Sequence, residues 1–164
     1  MDDRWISDAP HATAAGLNTG LVFRLGDEWL VLDSRYVREV TRLGSIHSLP
    51  QRRNAMLKGL VNVNGELQVC IALEQLLQLE KAQQPDLSIH AHLICVADKD
   101  QHFAFAVSEV SGIHQFSDDE VELVPATVSR FRSSFTLGML GWHEQEVGIL
   151  DHELLFDSLA RSLQ

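Results

Sequence analysis

A chain of 164 residues, 45% hydrophobic and 22% charged, can bury a sizeable core and reads as one globular domain, or one domain of two packed halves. Its formal net charge of −10 argues against a nucleic-acid binder, which needs clustered Lys and Arg to neutralise phosphates, and against docking on anionic lipid. No apolar run approaches the roughly 18 residues that span a bilayer, so no direct membrane insertion is expected.

Residues 1–19 are polar and Ala-rich, with Pro10 and Gly16 and no sustained period, and read as a flexible N-terminal arm. Asp2, Asp3 and Asp8 and the lack of an apolar stretch leave no secretory signal, which places the chain in the cytoplasm. Leu21–Leu25 and Trp29–Leu32 are strands joined by the turn Gly26-Asp27-Glu28. Ser34–Val37 suits a short helical turn capped by Ser34 or Asp33, before a strand over Glu39–Leu43. Ser45–Pro50 is extended, and Gln51–Leu57 suits one helical turn. Gly59–Leu73 is the strongest local signal: apolar Leu60, Val61 and Val63, then an Asn64-Gly65 pair, then Leu67, Val69 and Ile71 in alternation. Asn-Gly between apolar runs predicts a β-hairpin, because both residues accept positive φ cheaply. Apolar positions 73, 76, 77 and 79 have helical spacing. Glu80–Ser88, polar and containing Pro85, is the one plausible internal linker.

The second half repeats the style without repeating the sequence. His90–Ala97 is a strand, Asp98–Gln101 a turn, and His102–Val107 and Val110–Phe116 are strands. Asp118–Pro125 is an acidic loop. Phe135–Trp142 and Val147–Leu150 form a last hairpin about Glu144-Gln145, and Asp151 caps a closing helix over Glu153–Leu159. Short strands with closely spaced turns predict a mainly β fold of small antiparallel barrels with helices at their edges. There is no βαβ alternation, which excludes a doubly wound nucleotide-binding sheet.

No catalytic constellation is visible. The eight histidines lack metal-ligand spacing; His90 and His92 are accompanied by neither a second His at helical spacing nor a Cys-x-x-Cys pair. Ser133 and Ser134 lack a nucleophile elbow, and no Gly-rich phosphate cradle exists. Cys70 and Cys95 sit in apolar strand-like runs and read as reduced core residues. The expectation is a binding protein with no cofactor and no metal.

Phe23–Leu30, the Val37-Arg-Glu-Val40 segment, Leu49-Pro50, Gly59–Asn62, Gly65-Glu-Leu67 and Val147–Asp151, in that order and spacing, resemble the CheW-like domain of bacterial chemosensory adaptors. The resemblance covers roughly residues 20–160. Ile46–Arg53, Val124–Val128 and Glu153–Phe156 look most like the WspD-type adaptors of Wsp surface-sensing systems. The family implies two packed five-stranded SH3/OB-like barrels with short helices and a C-terminal helix. The first barrel would span about 20–78, the second about 88–145 and the helix about 151–161, with strand exchange near the termini. It implies no enzymatic activity, and coupling of the cytoplasmic tip of a methyl-accepting chemotaxis receptor to the regulatory domain of a CheA-like histidine kinase. Carried over position by position, Val37, Glu39, Asn62, Asn64 and Gly65 are the partner-binding residues. A Wsp-type pathway would make cyclic di-GMP the output.

The chain also departs from the family pattern. Asn64 stands where Arg is usual, Ala72 where Asp is frequent, and Ser108 where the family has Asp. Arg offers a forked donor set that Asn cannot imitate, so contacts made through that Arg are altered, or Asn64 serves the turn alone. The alternative function is a double-barrel domain that binds a small molecule in the groove between its halves.

Overall fold

The computed structural model describes residues 17–48, 56–79, 90–122 and 135–162. The arm up to residue 16, Leu49-Pro50, most of the Gln51–Leu57 turn, the Glu80–Ser88 linker, Val124–Val128, Ser133 and Ser134 lie outside them.

The strands are β1 (Leu17–Leu25), β2 (Glu28–Asp33), β3 (Val37–Arg42), β4 (Leu57–Val63), β5 (Glu66–Ile71), β6 (His92–Asp98), β7 (Gln101–Val107), β8 (Glu109–Ser117), β9 (Val121–Glu122), β10 (Thr136–Trp142) and β11 (Gln145–Leu150). The helices are α1 (Leu73–Leu76) and α2 (His152–Ser162), with 3-10 turns at Ser34–Tyr36 and Asp118–Glu120. Asp33 caps the first of these turns, its carboxylate accepting from the Arg35 N–H at 2.9 Å. β1 takes in the last three residues of the segment that the sequence assigns to the arm, Leu17, Asn18 and Thr19. The acidic stretch is a 3-10 turn and a short strand rather than a loop. No helix among the described residues is long and apolar enough to cross a membrane.

Turn chemistry follows the backbone. Asn64 (φ 53°) and Gly65 (φ 88°) join β4 to β5 with consecutive positive φ values, the twist that suits a two-residue hairpin. His143 (φ 47°) and Glu144 (φ 63°) do the same between β10 and β11, one residue earlier than the sequence suggests. Neither is Asn or Gly, so the turn carries no compositional mark. α1 is also shorter than its 73–79 apolar spacing predicts: Gln78 turns left-handed (φ 53°) and stops it.

Two sheets form. One has six strands in the order β8-β1-β2-β11-β10-β9, the other five in the order β3-β6-β7-β5-β4. The double-layered, mainly β architecture stands, but the sheets do not follow the two halves of the sequence. β1 and β2 leave residues 20–78 to join β8–β11, while β6 and β7 join β3–β5. One sheet also has six strands rather than five. Both curl until their edges meet. In the five-stranded sheet the chain after β3 bridges β4 through reciprocal hydrogen bonds, His47 N–H to Leu60 at 2.8 Å and Leu60 N–H to His47 at 2.9 Å. In the six-stranded sheet, His114 on β8 meets Trp142 on β10 at 5.2 Å, although the two strands are far apart in the order.

The apolar residues divide accordingly into three clusters. Leu30, Leu32, Phe23, Ile94, Val96 and Phe105 meet between the sheets, with Leu155, Phe156 and Leu159 of α2. Val61, Val63, Cys70, Leu93, Cys95 and Ala104 fill the five-stranded barrel. Val22, Val31, Phe116, Leu140 and Val147 fill the six-stranded one, with Trp29 and Trp142 packed against them, their ring centroids 5.1 Å from each other. Strands such as β6 are thus buried on both faces, which is why Leu93–Ala97 is unbroken apolar rather than alternating.

Cys70 and Cys95 pair in register with Ala104 from opposite sides of β7. They stand two strand spacings apart, about 9.5 Å, too far for a disulfide. Burial pushes both thiols up to about 11, so they are inert core residues.

Candidate functional site

Four of the residues singled out in the sequence, Glu39, Asn62, Asn64 and Gly65, meet at one rim of the five-stranded barrel, where the β4–β5 hairpin tip approaches β3. Asn62 Oδ1 accepts the Gly65 N–H at 2.9 Å, a side-chain brace across the turn. Asn64 Nδ2 donates to both carboxylate oxygens of Glu39, at 2.9 and 2.8 Å. β3 and β4 are opposite edges of the sheet, so this contact fastens the hairpin tip to the far edge and completes the closure begun by His47 and Leu60. Asn64 therefore does more than turn the chain: it takes the place of a cationic fork with a neutral amide and still reaches Glu39. Hydrogen bonds to an exposed carboxylate are modest, and a non-glycine residue in the left-handed region costs roughly 1 kcal/mol. Asn64→Gly should lose about 1 kcal/mol by urea titration through the missing hydrogen bonds, and Asn64→Ala about 1 kcal/mol more through backbone strain. Equal losses would mean that the φ requirement is absent.

Val37 does not belong to this surface. It is 1% exposed and lies in the cluster between the sheets. The cause is a β-bulge. Val37 pairs with Val96 and Glu39 with Cys95, leaving Arg38 as the extra residue. Residues two apart on a regular strand share a face, but the bulge sends Val37 into the central core and leaves Glu39 on the side of the barrel interior. The assignment of Val37 as a partner contact is corrected on this ground. Glu39, Asn62, Asn64 and Gly65 remain together at the accessible rim.

Ala72 and Ser108 are buried, at 3% and 7% exposure, and have local roles. Ala72 occupies the N-cap of α1 with no side-chain hydrogen bond, whereas Asp there would accept one of the unsatisfied N–H groups. The single turn of α1 fits that loss. Ser108 Oγ accepts the Gly26 N–H at 3.1 Å, pinning the β1–β2 turn to the junction of β7 and β8. Both departures act inside the fold rather than at a partner surface.

Sequence reasoning missed two kinds of exposed apolar residue. Leu67, 64% exposed, stands beside the hairpin tip, and Val40, 37% exposed, stands on β3. Leu67 falls in the alternating set that reads as inward-facing; only the barrel's curvature reveals that its end of the hairpin projects. Val40 shares a face with Val37 because of the bulge. Leu137, 59% exposed, borders a pocket of about 410 Å³ at the opposite barrel, whose walls include Val31, Phe116 and Ile149 and whose rim carries Arg35 and His152.

No group of three or more metal-binding side chains exists among the described residues. His90 lies instead against Lys58, Nζ to Nδ1 at 3.2 Å, with Lys58 paired to Glu74 at 2.8 Å. Burial first, then Lys58, holds the His90 pKa below its ordinary value, so the ring is a neutral acceptor for the ammonium.

A family model described as the CheW-like domain matches residues 19–160. A chemotaxis protein CheW of Rhizobium meliloti (strain 1021) is 27% identical over 154 residues, which is 93% of this chain and 96% of that protein. The crystal structure of scaffolding protein TtCheW from Thermoanaerobacter tengcongensis shares the fold with a TM-score of 0.65 at 22% identity, over 82% of this chain and 88% of that one.

Proposed function

The chain belongs to the CheW-like domain family, and on that premise we propose that it is a non-enzymatic adaptor joining the cytoplasmic tip of a methyl-accepting chemotaxis receptor to a CheA-like histidine kinase. The observation that carries this reading is the family match across both barrels, together with a chemotaxis relative aligned almost end to end. Members of the family are scaffolding adaptors rather than enzymes. The accessible rim built from Glu39, Asn62, Asn64 and Gly65 supports it: a rigid, hydrogen-bonded edge presents the exposed Leu67. Rigid elements that display a few apolar and charged groups recognise a surface, not a substrate. The place of action is the cytoplasm, at receptor arrays reached through the partners. The Ile46–Arg53 and Glu153–Phe156 segments support the finer reading of a Wsp-type pathway controlling cyclic di-GMP.

The kinase regulatory domain would bind through barrel ends, and the receptor's helical hairpin through the groove along β3. Such contacts are standard in area or smaller and micromolar, because arrays gain strength from multivalency. Calorimetric titration of the cognate kinase domain should give a micromolar Kd. No heat and no co-elution at tens of micromolar would reject the kinase half of the reading. A second reading, small-molecule binding, is favoured by the pocket of about 410 Å³, which falls in the size range of ligand sites; it lies at a barrel mouth rather than between the halves.

A further inference from the structure

We propose that Asn64 is a site of spontaneous deamidation, and that turning its amide into a carboxylate releases the β4–β5 hairpin tip from Glu39. The proposal stands on this chain's own residues and does not depend on the adaptor reading.

The chain has four asparagines, followed by Thr19, Ala55, Val63 and Gly65. Deamidation begins when the backbone nitrogen of the next residue attacks the asparagine Cγ, and a side chain on that residue hinders the approach. Asn64 alone has glycine there, which also leaves the backbone freest to reach the reacting geometry. The surroundings add to this. Asn64 and Gly65 are exposed at a two-residue turn. Beyond its chain neighbours, no atom lies within 4 Å of the place a Cβ on Gly65 would take, so water has access on that side.

The atoms balance with water alone. Gly65 N gives up its proton and bonds to Asn64 Cγ, closing a succinimide ring. The Cγ–Nδ2 bond breaks, and the nitrogen leaves as ammonia with the proton that Gly65 lost. Water then opens the ring at either carbonyl. The product is an aspartyl residue, or an isoaspartyl one with the main chain routed through the side chain. Nothing is oxidised or reduced.

In the closed hairpin both reacting groups are occupied. The Gly65 N–H is donated to Asn62 Oδ1 at 2.9 Å, and Asn64 Nδ2 is held on both Glu39 oxygens at 2.9 and 2.8 Å. The Glu39 charge also opposes loss of a proton from the nearby backbone. Reaction therefore waits for the tip to open, a local event that needs less free energy than global unfolding. The product cannot close again. A carboxylate has no hydrogen to give to Glu39, and two like charges then face each other where a donor met an acceptor. An isoaspartyl residue also lengthens the main chain by a carbon and displaces the turn. The clasp thus slows the very step whose product it cannot hold.

The full chain is warmed at neutral pH for weeks, sampled and digested, and the peptide carrying positions 62–64 is separated into its asparaginyl, aspartyl and isoaspartyl forms. Position 64 should convert while position 62, followed by valine, stays asparagine. Conversion should run at least about tenfold slower than in the chain unfolded by urea. It should speed up several-fold when Glu39→Ala removes the clasp or Asn62→Ala frees the Gly65 N–H. No conversion at position 64, a folded rate equal to the unfolded one, or a rate that neither variant changes overturns the proposal. The consequence is read by amide exchange in Asn64→Asp, which carries the aspartyl product from the outset. Exchange at the tip should quicken at least about tenfold, whereas Asn64→Asp/Glu39→Gln, with donor and acceptor exchanged, should return close to wild type. Wild-type protection of the tip in Asn64→Asp overturns the release from Glu39. So does equally fast exchange in the single and double variants, since the loss would then not lie in the facing carboxylates.

Discussion

Val37→Lys is expected to prevent folding rather than to weaken partner binding selectively. Val37 is 1% exposed in the central cluster, among Ile94, Val96 and Phe103, with Tyr36 packed beside it. Replacing it removes the burial of a valine, worth about 1.5–3 kcal/mol, and adds chain length to a packed core at about 1–3 kcal/mol. It also places an ammonium where no described carboxylate is paired to receive it, and a buried unpaired charge costs more than either. Domains of this kind have only about 5–15 kcal/mol of stability, so the sum consumes most or all of it. Circular dichroism should show loss of the strand signal, and gel filtration an expanded or aggregated species. Val37→Ala should fold with a lowered Tm. A Val37→Lys chain with native spectrum and Tm would put Val37 on the surface and restore it as a contact.

That reversal shows where the sequence is legible. The Asn64-Gly65 hairpin, the Asp33 cap and the Asp151 cap, whose carboxylate accepts the Leu154 N–H at 3.2 Å, are local chemistry and read directly from neighbouring residues. Pairing partners are not local. Nothing in Leu21–Leu32 states that β2 will run parallel to β11, with Trp29 beside Val147, because that register is decided by which apolar faces meet after the chain has turned many times. The bulge at Arg38 is the sharpest case. Val-x-Glu reads as two side chains on one face, and one unpaired residue puts them on two. Of the candidate site, Glu39, Asn62, Asn64 and Gly65 were legible as a group through the family pattern, and the hydrogen bonds that join them were not. Leu67 and Val40 were invisible, since exposure depends on the curvature of the sheet and not on the alternation along it.

Gly59→Ala is expected to open the five-stranded barrel. Gly59 lies on β4 beside the bridge to His47, at φ 150°, a conformation that side-chain-bearing residues rarely adopt. A Cβ there would stand 2.3 Å from the His47 carbonyl oxygen and 2.8 Å from its carbonyl carbon. These are backbone atoms, and they cannot rotate away as a side-chain tip could. His47 is held on both sides by the reciprocal hydrogen bonds with Leu60, so relief requires breaking the bridge. The backbone strain, about 1–3 kcal/mol, adds to two hydrogen bonds of about 1 kcal/mol each. Losses of this size lower the Tm of a domain of this length by about 2–4 °C for each kcal/mol, so a fall on the order of 10 °C is expected in calorimetry. The distinguishing sign is local. The bridge and the Asn64–Glu39 bonds both tie β4 and its turn to the β3 side, so without the bridge the hairpin tip rests on its side-chain bonds. Amide exchange at Leu60 and at the tip should then quicken well before global unfolding, and binding through the Glu39–Asn64 rim should weaken at temperatures where the six-stranded sheet is still intact. A Gly59→Ala chain with unchanged Tm and protected Leu60 would show that the β3 side does not close on β4 in solution.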